Sequence, residues 1–402
     1  MSKIAVVGAG AAGLFVAGFL ADKGHEVVVF DKNEKAGKKL YITGKGRCNL
    51  TNLCPPDEFL ANVVRGEKFL RTAIYNFTSY DTVDFFESLG LKTKTERGNR
   101  VFPESDKSSD VIRVLKERHC KNVRFKFEKE IASIEKTEEG FVLNSKKDML
   151  FDKVIVATGG KSYKATGSDG AGFRFAKKFG HFVVEPVPAL CPIKIKNRFV
   201  KKLQGVSLKN VRLTAKTEKR ELTFFGEMMF TDEGITGPIV LSLSSNINRA
   251  EKVALSLDFK PALTEQQLDA RLLRDFEDAK NKEIKSVFRG LFPKAVAEVF
   301  ENVVKISGDR KVNSITKDER AKIVECIKNF PLEYNGLYDV DAGIVTSGGV
   351  ELSEINPKTF ESKKQSGLYF LGEVLDVDAL TGGFNLQICW AIAFTCAKNW
   401  QD

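Results

Sequence analysis

Histidine is scarce: His25, His119 and His181 are scattered along 402 residues, so neither a metal-ligating cluster nor a Ser-His-Asp constellation is expected. The seven cysteines include no CxxC pair, and Cys48 and Cys54 are wrongly spaced for a simple dithiol, which excludes a thioredoxin-like mechanism and a disulfide framework. Odd, loosely spaced cysteines suit a reducing compartment. Long apolar runs are missing too. Asp22 and Lys23 interrupt the one that follows MSKIAVVGAGAAGLF, so the N-terminus reads as neither signal peptide nor membrane span, and the expected setting is the cytoplasm. No Walker loop, short-period repeat, low-complexity tract or coiled coil occurs. What is present suits a folded chain of two or three domains: 43% hydrophobic residues and a net charge of +10, enough to attract a polyanion or simply to keep a basic surface soluble.

The strongest local pattern opens the chain. KIAVV reads as a buried strand, Gly8-Ala9-Gly10-Ala11-Ala12-Gly13 as a tight turn, Leu14 to Lys23 as a helix, and HEVVVFD as a second strand ending at Asp31. Gly8 permits the turn, Gly10 lets backbone approach a pyrophosphate, and Gly13 lets the helix lie close to the sheet. Free N–H groups at the helix start form the anion site. Asp31, 23 positions after Gly8 (31 minus 8), stands where an acid accepts hydrogen bonds from an adenosine ribose. This predicts a dinucleotide site without deciding between FAD and NAD.

Beyond Asp31, KNEKAGKKLYITGKGRCNLTN reads as a glycine-punctuated loop. Residues 67–89 carry helical periodicity, a further helix starts near Ser108 or Ser109, and KVIVATGG is a buried strand. From Pro186 the pattern changes to basic strands, with VRLTAKT and KVALSLDF prominent. KRELTFF and FFGEMMF read as strand-core aromatics and methionines. A helical part spans about 264–307, or extends as far as Phe330. The expected organisation is therefore α/β: a discontinuous Rossmann-like domain from 1–189 and 334–402, interrupted by a β-rich insert at 190–333 containing the helical part. Near the C-terminus, GLYFLGE reads as a strand and turn, and TGGFNLQ starts an apolar helix. A helix N-terminus aimed at the pyrimidine edge of a flavin would stabilise electron density there on reduction.

Together, GAGAAG (Gly8–Gly13), GKKLYITGKGRCNLTN (Gly37–Asn52), VFPES (Val101–Ser105), VIVATGG (Val154–Gly160), FTDEGITGP (Phe230–Pro238), TSGGV (Thr346–Val350) and GLYFLGEVLDVDALTGGFNLQ (Gly367–Gln387) resemble the HI0933-like, or BaiN-like, FAD-dependent oxidoreductases over almost the whole chain. The resemblance implies FAD. Gly8, Gly10 and Gly13, with Ala11 and Ala12, would meet the pyrophosphate, and Asp31 with Lys32 the ribose. Thr43, Gly44, Gly46, Arg47, Cys48 and Asn49 would take the flavin side. Ala157, Thr158, Gly159 and Gly160 would pass near the dinucleotide, while Gly372, Glu373, Gly382, Gly383, Phe384, Asn385 and Leu386 would close around the ribityl chain and ring. Two departures stand out: Asp232 replaces a histidine of many relatives, and the last helix carries AIAFTCA in place of a glycine pattern.

Lys45 or Arg47 would balance anionic charge at the flavin, and Cys48 is the candidate proton donor, with a packing role or redox exchange as alternatives. Only one full GxGxxG occurs, so NADH or NADPH would act as a transient donor stacking on flavin. The resemblance admits two substrates: uridine in ribosomal RNA, reduced to dihydrouridine, and a small enone, including steroid-like ones. A third reading is a flavin-containing component of RNA-particle binding or assembly. Lys194, Lys196, Arg198, Lys201, Lys202, Lys209 and Arg212 form a basic strip that favours RNA, whose target base would leave its stack to react. The sequence gives no oligomeric state.

Overall fold

The computed structural model describes residues 1–401. They divide into two compact units, 1–189 with 339–401, and 190–338.

In the first unit, five short parallel strands form a sheet in the order Leu368–Phe370, Lys153–Val156, Lys3–Val7, Glu26–Phe30, Arg124–Lys126. Four residues in each of Lys3–Val7 and Glu26–Phe30 are buried, as expected of strands covered on both faces. The helix Ala11–Asp22 packs with the C-terminal helix Phe384–Lys398, where Phe15 lies 5.0 Å from Trp390 between ring centres. Both helices are apolar almost all round, which is the composition of helices buried inside a domain. The last helix therefore packs closely with alanines, Ala391, Ala393 and Ala397, in place of a glycine pattern.

The periodic run 67–89 is two helices, Glu67–Asn76 and Ser79–Ser88. Thr78 breaks it by capping the second: its hydroxyl accepts from Asp81 N, while the Asp81 carboxylate accepts from Thr78 N at 2.7 Å. This reciprocal cap satisfies two otherwise orphaned donors, and Phe77 between the helices takes an extended backbone and is buried.

The second unit is built on a seven-stranded sheet in the order Phe330–Leu332, Val253–Asp258, Ser207–Thr217, Glu221–Phe230, Gly234–Thr236, Ile193–Ile195, Tyr334–Leu337. The last strand pairs with Ile193–Ile195, which extends the insert past residue 333 to Tyr338. Its helical part takes the longer of the two extents, because Thr316 caps a fourth helix, Lys317–Lys328, after Glu265–Asp278, Ile284–Leu291 and Lys294–Val304. One expectation fails here. In FFGEMMF only one member of each doublet turns to the core: Phe224 packs against it and Met228 is buried, whereas Phe225 is 62% and Met229 37% exposed. Side chains alternate along a strand, so adjacent apolar residues cannot share one buried face.

Among the described residues no helix is long and apolar enough to cross a membrane.

Candidate functional site

The glycine turn lies at the carboxyl edge of the parallel sheet, where open α/β folds bind ligands. It is fastened from both sides. Ala9 N donates to Asp31 Oδ2 at 2.8 Å, and Ala9 O accepts from Gly37 N at 2.9 Å. Asp31 Oδ1 also accepts from Asn33 N and Asn33 Nδ2. Three of the roughly four lone-pair positions of this carboxylate are thus used inside the protein, leaving one for a ribose hydroxyl. Lys32 is held by Asp169 at 2.8 Å.

The three glycines are not equivalent. A Cβ on Gly13 would collide with the Gly8 carbonyl, and one on Gly8 with the Ala157 carbonyl, so these two serve close packing. A Cβ on Gly10 would meet nothing within 4 Å, and the backbone there (φ −85°, ψ −166°) suits any residue. Nothing in the chain's own packing requires glycine at position 10. A ligand group held against the helix N-terminus would.

Four of five residues from Gly44 to Cys48 have positive φ: Gly44, Lys45, Gly46 and Cys48. For Lys45 and Cys48 such a backbone costs about 1–3 kcal/mol each, a strain found where a loop serves a ligand. Cys48 N donates to Thr43 O, and Thr43 Oγ1 to Leu40 O, which closes the loop. The Asn49 Oδ1 and Thr158 Oγ1 atoms are buried without a hydrogen-bond partner among the described residues. Both are in segments assigned to the cofactor, and an unsatisfied buried acceptor calls for a donor. Gly383, at φ +103°, packs against Thr51, and Asn52 Nδ2 donates to Gly382 O at 3.1 Å, so the start of the last helix is tied to the strand after this loop. Gln387 completes the tie, accepting from Thr51 and Thr82 and donating to Phe77 O. Asn385 braces the backbone at Ala379; Phe384 packs on Phe59.

Two expected roles change. Arg47 is committed elsewhere: its guanidinium pairs with Glu96 and Asp106 and lies 4.0 Å over the Phe102 ring, and these acids hold it firmly protonated. It secures the loop, and its charge is already balanced. Cys48 is wholly buried, and burial pushes its thiol up to about 12. Giving up its proton would leave a thiolate where charge is excluded, so the geometry favours a packing role over a proton donor.

Burial raises all seven thiols. Unfolded thiols ionise near 9.0 while these stay protonated, so the folded state binds more protons above that pH and stability falls as pH rises further. The midpoint of urea unfolding is expected to drop steadily from pH 9 upward, and Cys48 to resist alkylation at pH 8 until the chain unfolds.

Sequence reading missed a polar cluster around Glu373. Lys39 Nζ donates to Glu373 Oε2 at 2.8 Å and to Ser162 Oγ at 2.6 Å; Ser162 Oγ and Thr346 N donate to Glu373 Oε1 at 3.1 and 2.9 Å. Thr346 Oγ1 accepts from Lys161 N and Ser162 N. A Cβ on Gly160 would strike Thr346 and Glu373, which explains that glycine. The TSGGV motif was the available signal, but its partners are far away in sequence. Both ends of the Lys39–Glu373 pair keep some exposure, so Glu373→Gln is expected to cost about 2 kcal/mol, between surface and fully buried pairs. Urea melts of apoprotein measure it; an unchanged midpoint would contradict this.

A glycine turn against a helix N-terminus, an acid at the end of the second strand and a C-terminal helix closing on a strained loop define a dinucleotide-binding flavoprotein fold. The chain belongs to the HI0933-like family: the model described as "HI0933-like protein Rossmann domain" matches residues 2–399. It is a member of an FAD-dependent oxidoreductase family. A 3-dehydro-bile acid delta(4,6)-reductase of Clostridium scindens is 30% identical, covering 99% of this chain and 98% of the relative. A ribosomal RNA dihydrouridine synthase of Haemophilus influenzae is 31% identical, covering 99% and 98%. The crystal structure of a 3-ketosteroid-delta4-(5alpha)-dehydrogenase from Rhodococcus jostii shares the fold, with TM-score 0.50 and 12% identity over 100% of this chain and 97% of that one.

Proposed function

We propose that this protein reduces a conjugated C=C bond, and that its substrate is uridine in ribosomal RNA. Bound FAD would supply the hydride once reduced, with NADH or NADPH as transient donor. The chain's own contribution is positional. Gly10 leaves room at the helix N-terminus, whose N–H groups take the pyrophosphate, and Asp31 offers its remaining lone pair to the ribose. Asn49 and Thr158 offer buried acceptors to donors of the cofactor, and the Lys39–Glu373–Ser162 cluster fixes the backbone at Gly160 and Gly372. Buried helices and aromatic packing behind these residues keep water from the rear of the site.

The observation that carries the RNA reading is electrostatic. From Cys191 to Thr217 there are eight cations and no acid. Lys196, Arg198, Lys201, Lys202 and Lys209 are exposed and make no ion pair among the described residues, while Lys194 lies over Tyr338 and Arg212 faces Asp258 at 3.9 Å. Five free cations on one short segment suit a phosphate backbone. The relatives named as dihydrouridine synthases support the same reading.

A small apolar enone is the second reading. Tyr41, Ile42, Tyr163 and Ile344 are exposed apolar side chains in the segments joined through Lys39, Ser162 and the Ile344 carbonyl. The bile-acid reductase supports it. Anaerobic mixing of reduced protein with unmodified ribosomal RNA, and separately with an enone panel, decides. A site-specific mass gain of two hydrogens in RNA is expected; rapid enone turnover with unaltered RNA would reverse the order. Stable particle binding without either product would instead favour an assembly role.

A further inference from the structure

Two cations at the end of the first unit assigned to the flavin have no partner inside the chain. Three segments converge there: the strained loop from Gly44 to Cys48, the start of the last helix, and the tip of the hairpin formed by Thr93–Glu96 and Arg100–Pro103. Asn52 joins the last two, its Nδ2 donating to Gly98 O at 3.0 Å and to Gly382 O at 3.1 Å, while Leu53 N donates to Asn99 O at 2.7 Å. Arg47 holds the loop to the same hairpin through Glu96, Asp106 and the Phe102 ring. The two acids at this junction are therefore taken. Asp106 also binds Lys94 at 2.5 Å, and Glu96 faces Arg100 at 3.9 Å. Lys45 and Arg97 are exposed, and neither side chain makes an ion pair or hydrogen bond among the described residues. Glu58, near the Cys54 thiol, is a single exposed carboxylate against these two cations.

Backbone strain adds a second observation. Lys45 takes φ +59° and ψ +41° between Gly44 and Gly46, which adopt positive φ freely. A glycine would sit there without strain, so the fold gains nothing from lysine at this position. Its side chain serves something outside the chain. We propose that Lys45 and Arg97 form a clamp for an oxyanion of the substrate, a negatively charged group carried beside the reacting alkene. The proposal rests on the C=C reduction proposed above and deepens it by naming how the substrate is held. On the RNA reading the oxyanion is a phosphate adjoining the target uridine, whose base leaves its stack to react; on the enone reading it is a carboxylate of the small molecule. An ammonium and a guanidinium suit either group through charge-assisted hydrogen bonds. The clamp positions substrate and moves neither hydride nor proton, so it governs affinity and KM. It gives Lys45 a substrate role in place of a counter-charge to the flavin.

The test is titration of the oxidised, FAD-bound full chain, read as perturbation of flavin absorbance, with two matched pairs of ligands: uridine 3′-monophosphate against uridine, and a carboxylated enone against its methyl ester. In wild type the anionic member of one pair is expected to bind about tenfold more tightly than its neutral partner, an advantage that shrinks as salt rises. A phosphate preference supports RNA as the source of the oxyanion; a carboxylate preference keeps the clamp and favours the enone. Lys45→Gln with Arg97→Gln should abolish the preference, and Lys45→Arg with Arg97→Lys should retain it. Lys45→Gly should weaken it while leaving the urea midpoint of apoprotein unchanged or higher, because relief of strain offsets the extra freedom of glycine in the unfolded chain. A lowered midpoint would mark Lys45 as structural and overturn the clamp. Wild type that prefers neither anion, or a double glutamine variant that keeps the preference, would overturn it too, while the RNA reading still stands or falls by the anaerobic assay. A Lys45→Gln protein with a shifted flavin potential and an undiminished preference would return Lys45 to the cofactor.

Discussion

Gly10→Val yields a folded, colourless protein. The backbone at position 10 is extended and a Cβ there meets no neighbour, so the fold tolerates the substitution; loss of glycine freedom in the unfolded chain, about 0.4–1 kcal/mol, offsets the poorer N-cap that valine makes. The valine methyls instead fill the space over the helix N-terminus that the pyrophosphate needs. FAD affinity is expected to fall by at least about a hundredfold, or about 2.8 kcal/mol. Flavin content after reconstitution and the urea midpoint of apoprotein measure the two effects separately. A yellow Gly10→Val protein, or one that unfolds more easily than apo wild type, would contradict this division.

Gly13→Ala behaves in the opposite way. Its methyl group would be driven into the Gly8 carbonyl, and neither the turn nor the helix can retreat, because Gly8 N donates to Phe30 O and Gly8 itself is pressed against Ala157. Overpacking against backbone costs about 3 kcal/mol or more. The apoprotein should therefore lose stability even without ligand, as a lowered urea midpoint or accumulation in the insoluble fraction. Two glycines three residues apart then separate into one that makes room for a ligand and one that makes room for a carbonyl.

The nucleotide half of the site was legible because its determinants are local. Turn, helix start and Asp31 occur within 24 residues (8 to 31), and periodicity alone places them on strand, turn and strand. The resemblance extended this to Asn49, Thr158 and Gly383, which the structure brings into tight or unsatisfied surroundings. What stayed hidden depends on long separations. Lys39 and Glu373 are 334 residues apart, and Arg47 reaches acceptors 49 and 59 positions away, so nothing near either residue announces its partner. Cys48 was misleading for a related reason: a thiol beside Arg47 in sequence suggests activation, but the guanidinium turns to Glu96 and Asp106 while the thiol turns inward. Phe225 differs, since its exposure could have been read. The doublets in FFGEMMF must split between two faces of a strand, and only one face is covered.

We propose that segments far apart in the sequence hold FAD together, and the most direct measurement is of that ligand. Protein purified under mild conditions, or reconstituted with excess flavin, is denatured, and the released chromophore is identified by mass and quantified against protein. The account predicts FAD in equimolar amount. FMN in its place, or a well-folded protein that remains colourless after reconstitution, would contradict it.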